Sequence, residues 1–168
     1  KMGYGEELKI TRTYRNAQEV IDIAGGFIQK NDAQIKKSLI SPKHIEDPVI
    51  VVSYDDSPIR KEQTVKDGGP LHQMAKALEY AVGEIVSKFG EKSSILLIGR
   101  YGYDGTQLAR TKLFDYIEYG NKVVSKKYPN VKIEFLTAHS SKGLGYDNVI
   151  IINAKDAVYG FPSKIEDD

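Results

Sequence analysis

Short runs of apolar, β-branched residues alternate along this chain with longer segments in which apolar residues recur at helical spacing. Runs that are apolar throughout suit strands buried on both faces, and helices inserted between such strands favour parallel pairing. The alternation therefore predicts an α/β fold, a mostly parallel sheet with helices on both faces. The expected strands of this sheet are residues 49–53, 94–99, 131–137 and 148–153.

The start of the chain predicts a short strand over residues 7–13, followed at once by a helix. Asn16 with Glu19 three residues later has the form of a capping box, in which two side chains satisfy free backbone amides at a helix start. Apolar residues then recur at helical spacing as far as Ile28. We expect a capped helix that fades near residues 30–32.

Two more helices are expected in the middle of the chain, after a polar loop over residues 54–70. Residues 71–89 carry apolar side chains along one helical face, and Gly90 lies where a C-terminal cap belongs. The other helix is expected over much of residues 107–127, although Gly120 makes its middle irregular.

Composition places the chain among globular proteins. Its 168 residues, 40% hydrophobic and 28% charged, are enough to bury a core, and we expect one domain over residues 1–168.

No apolar run approaches the roughly 20 residues that cross a bilayer, so we expect no membrane contact and a cytoplasmic location. Because cysteine is absent and the histidines are widely separated, no metal site is predicted. The net charge of +1 implies that any nucleic-acid contact is local.

Ligands of parallel α/β sheets bind outside the carboxyl ends of the strands. That rule selects Tyr14-Arg15, residues 100–105 and residues 139–145. The guanidinium of Arg15 suits phosphate, and Tyr14 presents a flat face on which a base can stack. Taken alone, the pair is more simply interpreted as an exposed arginine and a tyrosine that covers the sheet edge.

Small, hydroxylated and basic residues follow the predicted strand that ends at Thr137. Small side chains let backbone amides approach a phosphate, while serine, threonine and lysine add donors. The stretch is not a P-loop, since G-x-x-x-x-G-K-[ST] occurs nowhere in the chain. By itself it is most simply an ordinary turn, and His139 a packing or hydrogen-bonding residue.

The glycines near the second predicted site, Gly99, Gly102 and Gly105, lack the G-x-G-x-x-G spacing of dinucleotide-binding folds. We therefore do not assign these glycines a role in nucleotide binding. Arg100 has two open interpretations at this point: it contacts a ligand, or it pairs with Asp104 to hold the loop.

Taken together, these segments resemble the second RecA-like motor domain of UvrD/Rep-type superfamily 1 DNA helicases, with DNA helicase IV as the nearest type. Thr13-Tyr14-Arg15-Asn16 looks like motif IV, and Ile98-Gly99-Arg100 looks like the strand-end arginine block that follows it. Residues 137–144, T-A-H-S-S-K-G-L, are similar to motif V, and Tyr159-Gly160-Phe161-Pro162 matches the G-F-P that comes after it. The matches occur in the family's order and span most of the chain.

The resemblance implies a RecA-like fold that lacks its own P-loop and completes an ATP site held by another domain. In the family, the motif IV tyrosine stacks on adenine and the arginine reaches the γ-phosphate as an arginine finger, which here means Tyr14 and Arg15. Motif V implies a further nucleotide contact at Gly143. The cofactor is ATP with Mg²⁺, bound mainly by the absent first RecA-like domain of the same polypeptide.

The same resemblance implies DNA as a partner. Arg100, Thr137, His139 and Lys142 are the candidates for contact with single-stranded or partly duplex DNA and for its coupling to the nucleotide. Such contacts with phosphate are expected to depend on salt and not on base sequence.

The chain also departs from the family's pattern. Gly145 stands where the family usually has a glutamate that contacts the nucleotide ribose, so that contact cannot form here. There is no Walker A lysine, no Walker B acidic pair and no motif VI, and residues 36–70 are too few for the DNA-gripping 2B insertion. This chain alone is therefore not expected to hydrolyse ATP. The first residue, Lys1, and the acidic end suggest an excised fragment.

The favoured function is that of the second motor domain of an ATP-dependent, 3′-to-5′ DNA helicase in the bacterial cytoplasm, associated with the nucleoid. The alternative is a non-catalytic helicase-like module that binds nucleic acid or a protein, which the absence of Walker motifs upstream would favour. A small-molecule enzyme of Rossmann-like type is a third interpretation, and the missing glycine fingerprint counts against it.

Overall fold

The computed structural model describes residues 11–33, 38–57, 69–158 and 161. The chain divides into two compact units, Lys1–Val51 and Val52–Asp168, and each is described by itself. The expectation of a single domain stays a prediction.

The first unit contains one helix, α1 (Gln18–Ile28), among its described residues, close to where the helical spacing predicts it. The predicted capping box is wrong. Ala17 is the cap residue and makes no side-chain hydrogen bond to the helix, so the Asn16 side chain does not start it. The carboxylate of Glu19 instead accepts a hydrogen bond from the Ile45 amide, because a nearby loop offers a free N–H group.

Of the strand predicted over residues 7–13, only the part from Thr11 onward lies within the described residues. Arg12 there forms an isolated parallel bridge with Ile40. The bridge precedes α1 in the chain, in the order that the sequence predicts.

The strand predicted over residues 49–53 is wrong. These residues form no strand in the described part of the chain, and Val51 is 85% exposed. A β-branched run forms a strand only where a neighbouring strand supplies hydrogen bonds and a packing surface, so apolar composition alone is not sufficient here.

The second unit is built on a five-stranded sheet with the order β2-β3-β4-β1-β5. Strand β1 pairs in parallel with β4 and β5, whereas β3 is antiparallel to β2 and β4. The α/β class is confirmed, and the sheet is mixed, because β3 runs antiparallel to both of its neighbours. A RecA-like arrangement stays a prediction. The strands are β1 (Ile95–Gly99), β2 (Phe114–Ile117), β3 (Lys122–Ser125), β4 (Ile133–Thr137) and β5 (Asn148–Ile151).

The predicted helix over residues 71–89 is confirmed as α2 (Pro70–Phe89). Pro70 occupies the first turn, where its missing N–H has no cost. At the other end, Gly90 has a φ of 80° and donates its N–H to the Val86 carbonyl at 2.8 Å. That left-handed conformation is the reason for glycine at this position.

The core of the second unit lies between α2 and one face of the sheet. Alternate residues of β1 and β4 point to this face, with Leu97 beside Phe135 in register. Each such buried side chain contributes roughly 1.5–3 kcal/mol relative to full exposure. Helices on the second face of the sheet stay a prediction. The buried cluster comprises Met74, Ala75, Leu78, Val82, Ile95, Leu97, Leu108, Phe114, Val123, Val131, Ile133, Phe135 and Ile152.

The helix predicted over residues 107–127 is wrong. A short helix, α3 (Tyr103–Leu108), and a 3₁₀ turn (Ala109–Thr111) lead instead into the β2–β3 hairpin. The turn of the hairpin places Gly120 at φ 82° and Asn121 at φ 50°, conformations that helices do not use. These two residues therefore end any helix and reverse the chain.

Candidate functional site

The parallel strands β1, β4 and β5 end at the same edge of the sheet, and the residues that follow them form the candidate site of the second unit. The Ala138 N–H donates to the Gly99 carbonyl at 3.2 Å, which joins the start of the loop after β4 to the end of β1. The structure therefore brings Arg100, after β1, beside the loop that begins at Thr137.

The loop after β4 is a compact turn held by its own hydroxyl groups. The Thr137 and Ser140 hydroxyl oxygens lie 3.0 Å apart, and the Ser141 hydroxyl donates to the Ala138 carbonyl at 3.0 Å. The Ser141 N–H donates to the Thr137 carbonyl at 3.1 Å. Small hydroxylated residues are needed here because they close the turn without adding bulk.

The basic side chains of this loop are exposed. His139 and Lys142 are exposed, whereas Thr137 is half-buried and engaged in the turn. Gly143 has a φ of 82°, and no atom lies within 4 Å of the position that a Cβ would take. The loop thus offers an open backbone and a flexible cation, a combination that suits a phosphate group.

Asp104 holds the loop after β1, but not through Arg100. Its carboxylate accepts hydrogen bonds from the Tyr101 N–H at 2.9 Å and from the Asn153 amide at 3.3 Å. The proposed Arg100–Asp104 pair is therefore wrong. The guanidinium carbon of Arg100 lies 5.9 Å from the centre of the Tyr101 ring, a cation–π distance.

Asn153 links the segment after β5 to the same edge of the sheet. It has a φ of 53°, which asparagine tolerates better than most residues, and its side-chain oxygen accepts a hydrogen bond from the Tyr54 hydroxyl at 3.2 Å. Its carbonyl accepts from the Lys155 and Phe161 amides at 2.8 and 3.1 Å. This residue, which sequence analysis missed, organises the segment that leads to the G-F-P stretch.

The glycines of the loop after β1 have packing roles. A Cβ added to Gly105 would lie 2.6 Å from the Phe135 ring, and one added to Gly99 would lie 2.8 Å from both the Phe135 ring and the Asp104 carboxylate. Gly102 has no such neighbour within 4 Å. Two of the three glycines therefore let α3 approach the core.

Tyr14 and Arg15 lie in the first unit, between the Arg12 bridge and the start of α1, as the sequence predicts. Tyr14 is 62% exposed, and the Arg12 guanidinium carbon lies 5.5 Å from the centre of its ring. The Arg15 N–H donates to the Thr13 hydroxyl at 3.3 Å. Both side chains are exposed at the surface of this unit, and the hydrogen bond to Thr13 stabilises the backbone locally.

Hydrogen bonds from the first turn of α1 to a neighbouring loop stabilise the segment that carries Tyr14 and Arg15. Gln18 accepts a hydrogen bond from the Ser41 amide at 2.7 Å, and Glu19 contacts the His44 ring at 2.7 Å and the Ile45 amide at 3.0 Å. The contact with His44, and secondarily the backbone donors, hold the pKa of the Glu19 carboxyl below its ordinary value. The helix start that follows Arg15 is thereby fixed to a neighbouring loop.

The described residues contain no group of three or more histidine, aspartate or glutamate side chains placed to hold a metal ion. None of their helices combines the length and apolar character needed to cross a membrane.

A comparison with curated proteins finds DNA helicase IV of Escherichia coli, which is 27% identical to this chain over 162 residues. The match covers 96% of this chain but 19% of the helicase, so the chain spans about a fifth of its relative's length. No protein-family model and no solved structure matches the chain. This partial and distant similarity indicates that the chain is a helicase-related region.

Proposed function

We propose that this chain is the second RecA-like motor domain of an ATP-dependent DNA helicase or translocase that moves in the 3′-to-5′ direction. The observation that carries the proposal is the match to DNA helicase IV over 96% of the chain, which includes the candidate segments in both units. Helicases of this kind act on DNA in the bacterial cytoplasm, at the nucleoid. Catalysis requires a first motor domain that supplies the phosphate-binding loop and the Mg²⁺ ligands.

Tyr14 is suited to stack on the adenine of ATP. Its ring is largely exposed, and Arg12 lies over it at a cation–π distance. A cation on one side of a ring leaves the other side for a planar base. The residues present therefore fit the base of the nucleotide. Gly143 contributes a backbone with open space around it, which is suited to a further nucleotide contact.

Arg15 acts as an arginine finger. Its guanidinium stays charged at any physiological pH and can donate to two phosphate oxygens at once. When the two motor domains close on ATP, this charge stabilises the negative charge that develops on the γ-phosphate oxygens during transfer to water. Hydrolysis is thereby coupled to closure, because the arginine reaches the phosphate only in the closed state.

The described residues do not offer a Mg²⁺ site of their own. Asp104, the buried acid at the carboxyl edge, is 5% exposed and accepts hydrogen bonds from Tyr101 and Asn153, so its oxygens face the protein. The metal is accordingly held by the first motor domain. Its contribution, when bound, is to neutralise charge on the β- and γ-phosphates.

The loop after β4 and Arg100 contact single-stranded DNA. Lys142 and His139 are exposed on the loop, and the Ala138–Gly99 hydrogen bond holds that loop beside Arg100. Thr137 maintains the turn through Ser140 and is expected to act by positioning the loop. The contacts are with phosphate, so binding weakens as salt concentration rises.

The test is the Arg15→Ala variant of the full-length protein, measured as ATP hydrolysis with and without single-stranded DNA. Loss of an arginine finger lowers turnover by at least about a thousandfold, and we expect a loss of that order in the DNA-stimulated rate. Arg110→Ala is the matched control, since Arg110 is also an exposed arginine but lies in the 3₁₀ turn of the second unit.

Normal turnover by Arg15→Ala would exclude the arginine-finger role. Circular dichroism spectra of both variants should match the wild type, which separates a catalytic loss from unfolding.

A further inference from the structure

The loop after β4 returns to β5 across the second face of the sheet, the face opposite the core. Glu134 alternates along β4 with Ile133 and Phe135, which belong to the core, so its side chain lies on the second face. The Tyr146 hydroxyl donates a hydrogen bond to the Glu134 carboxylate at 2.6 Å. Because β1 lies between β4 and β5, the loop has to pass β1, and this bond shows that its last part does so on the second face.

Both ends of this loop are held by hydrogen bonds. At the carboxyl edge, hydroxyl groups close the turn that begins at Thr137, and Ala138 is bonded to the end of β1. At the opposite edge, the Asp147 carboxylate accepts hydrogen bonds from the Ser94 N–H at 2.8 Å and from the Ser94 hydroxyl at 2.7 Å. Tyr146, one residue earlier, adds its bond to β4 at that end. The course of the loop is therefore fixed where it leaves the sheet and where it returns.

The middle of the loop, residues 142–145, is exposed, and we call it the arch. Gly143 has a φ of 82°, and neither Gly143 nor Gly145 has an atom within 4 Å of the position that a Cβ would take. Glycine gives a backbone more accessible conformations than any other residue. The placement of Lys142, the cation of the arch, therefore depends on how the two ends of the loop are held.

The anchor at the returning end is attached to a constrained part of the sheet. Glu134 is half-buried, and its strand, β4, pairs with β1 on one side and with β3 on the other. A hydrogen bond to an ionised acceptor is also stronger than one between neutral groups. Tyr146 thus ties the arch to an internal strand and not to another loop.

We propose that Tyr146 is a positioning residue for the contact between Lys142 and DNA phosphate. This inference rests on the proposed function and adds to it the residue that fixes the returning end of the arch. With the hydroxyl bonded to Glu134, the arch loses less conformational freedom when Lys142 meets a phosphate. Without that bond, the DNA itself has to order the glycine-containing arch, and affinity falls.

The experiment measures binding of the full-length protein to a fluorescein-labelled oligothymidine by fluorescence anisotropy, at a series of salt concentrations. Lys142→Ala should weaken binding and lower the slope of log affinity against log salt by about 0.7, the value for one phosphate contact on a single strand. Tyr146→Phe removes only the hydroxyl and should weaken binding about three- to tenfold. In the Lys142→Ala background, the same substitution should change affinity less than about twofold, because Tyr146 acts through Lys142.

Tyr116→Phe is the matched control for the loss of a tyrosine hydroxyl. The Tyr116 hydroxyl donates to the Asn121 side chain at 3.1 Å in the β2–β3 hairpin, away from the loop after β4 in the chain. This variant should bind like the wild type.

Two substitutions of Glu134 test the other partner of the bond. Glu134→Gln and Glu134→Leu remove the same charge, but only glutamine keeps an oxygen that can accept the Tyr146 hydroxyl. Glu134→Gln should therefore bind more tightly than Glu134→Leu, by about the factor that Tyr146→Phe loses. Equal binding by these two variants would count against the positioning role.

The outcomes distinguish this inference from the function on which it rests. If Tyr146→Phe binds like the wild type, or loses the same factor with and without Lys142, the positioning role is excluded while the DNA contact of Lys142 stands. If Lys142→Ala binds as tightly as the wild type, the proposed phosphate contact fails, and the positioning role fails with it. A loss in Tyr146→Phe that disappears in the Lys142→Ala background supports the inference.

Discussion

At the scale of single residues, Phe135 shows how a buried ring depends on the absence of side chains around it. The ring is 2% exposed and approaches two glycines, Gly99 from its own sheet and Gly105 from α3. Neither glycine has a positive φ, so the requirement is for space and not for backbone freedom. The loop that carries Arg100 owes its position to this close approach.

Gly105→Ala should destabilise the second unit by about 1–2 kcal/mol. Alanine favours a helix by up to about 1 kcal/mol over glycine, but its methyl group would lie 2.6 Å from the Phe135 ring, and overpacking of this kind costs about 1–3 kcal/mol. The clash outweighs the gain because Phe135 is enclosed by the core. Urea unfolding followed by circular dichroism measures the change.

Gly102→Ala provides the matched control for that measurement. Gly102 has a helical φ of −59° and no neighbour within 4 Å of a Cβ position, so its substitution should be neutral or slightly stabilising. An equal loss of stability in both variants would mean that the Phe135 contact is not the cause.

At the scale of elements, a hydrogen bond across the sheet fixes the loop before β5. The Tyr146 hydroxyl donates to the Glu134 carboxylate of β4 at 2.6 Å, and Lys122 of β3 lies opposite Glu134 in register. Partial burial, followed by the bond to Glu134, raises the pKa of Tyr146 from 10.0 to about 12. The loop after β4 is therefore anchored where it returns to the sheet.

This raised pKa gives the anchor a defined dependence on pH. Because the pKa is higher in the folded than in the unfolded state, the contribution is fully present below pH 10.0 and is lost as the pH rises through about 12. Tyr146→Phe should lack that part of the alkaline fall in unfolding free energy, whereas Tyr119→Phe should keep it. Urea unfolding at a series of alkaline pH values tests this, and identical slopes in Tyr146→Phe and wild type would refute it.

Elements with a single periodic pattern were predictable from the sequence, and α2 and β1 are examples. Residues 107–127 were not, because apolar residues there also fit a helical spacing. The alternation of Phe114 with Tyr116, and the Gly120-Asn121 pair, are the signs of a hairpin that could have been used. Val123 then joins the same core as Phe114, so tertiary packing decides between the two patterns.

The candidate site was predictable only where it is local in sequence. The loop after β4 is a turn of neighbouring residues, and its position after a strand follows from the apolar run before it. Asn153 was missed because its partners, Tyr54 and Asp104, are 99 and 49 residues away. The rings of Tyr101 and Tyr103 are stacked with their centres 5.2 Å apart. This contact depends on where α3 begins, and the sequence analysis predicted a later start for that helix.

At the scale of the whole molecule, the two units differ in how much they bury. Helix α1 of the first unit has no buried residue, whereas Ile95 and Leu97 of β1 are fully buried. Elements with few buried contacts open at low free-energy cost, and core strands open only with global unfolding. Tyr14 and Arg15 thus lie beside the less protected helix.

Native-state hydrogen exchange should display this difference. The amides of Ile95 and Leu97 should be among the slowest to exchange, and those of α1 should exchange faster by orders of magnitude. Exchange measured by NMR on the whole chain resolves both sets in one sample. Equal protection of α1 and β1 would show that the helix is held as firmly as the core.

The strand order has a consequence for handling the protein in solution. In the described part of the chain, β5 is the last strand of the sheet, pairs on one side only, and exposes Val149 and Ile151. An apolar edge with a free row of amide and carbonyl groups is a template for another extended chain. Concentrated samples are therefore expected to aggregate through the edge of β5. Val149→Lys should suppress this aggregation, because a charged side chain on the edge opposes pairing with another chain.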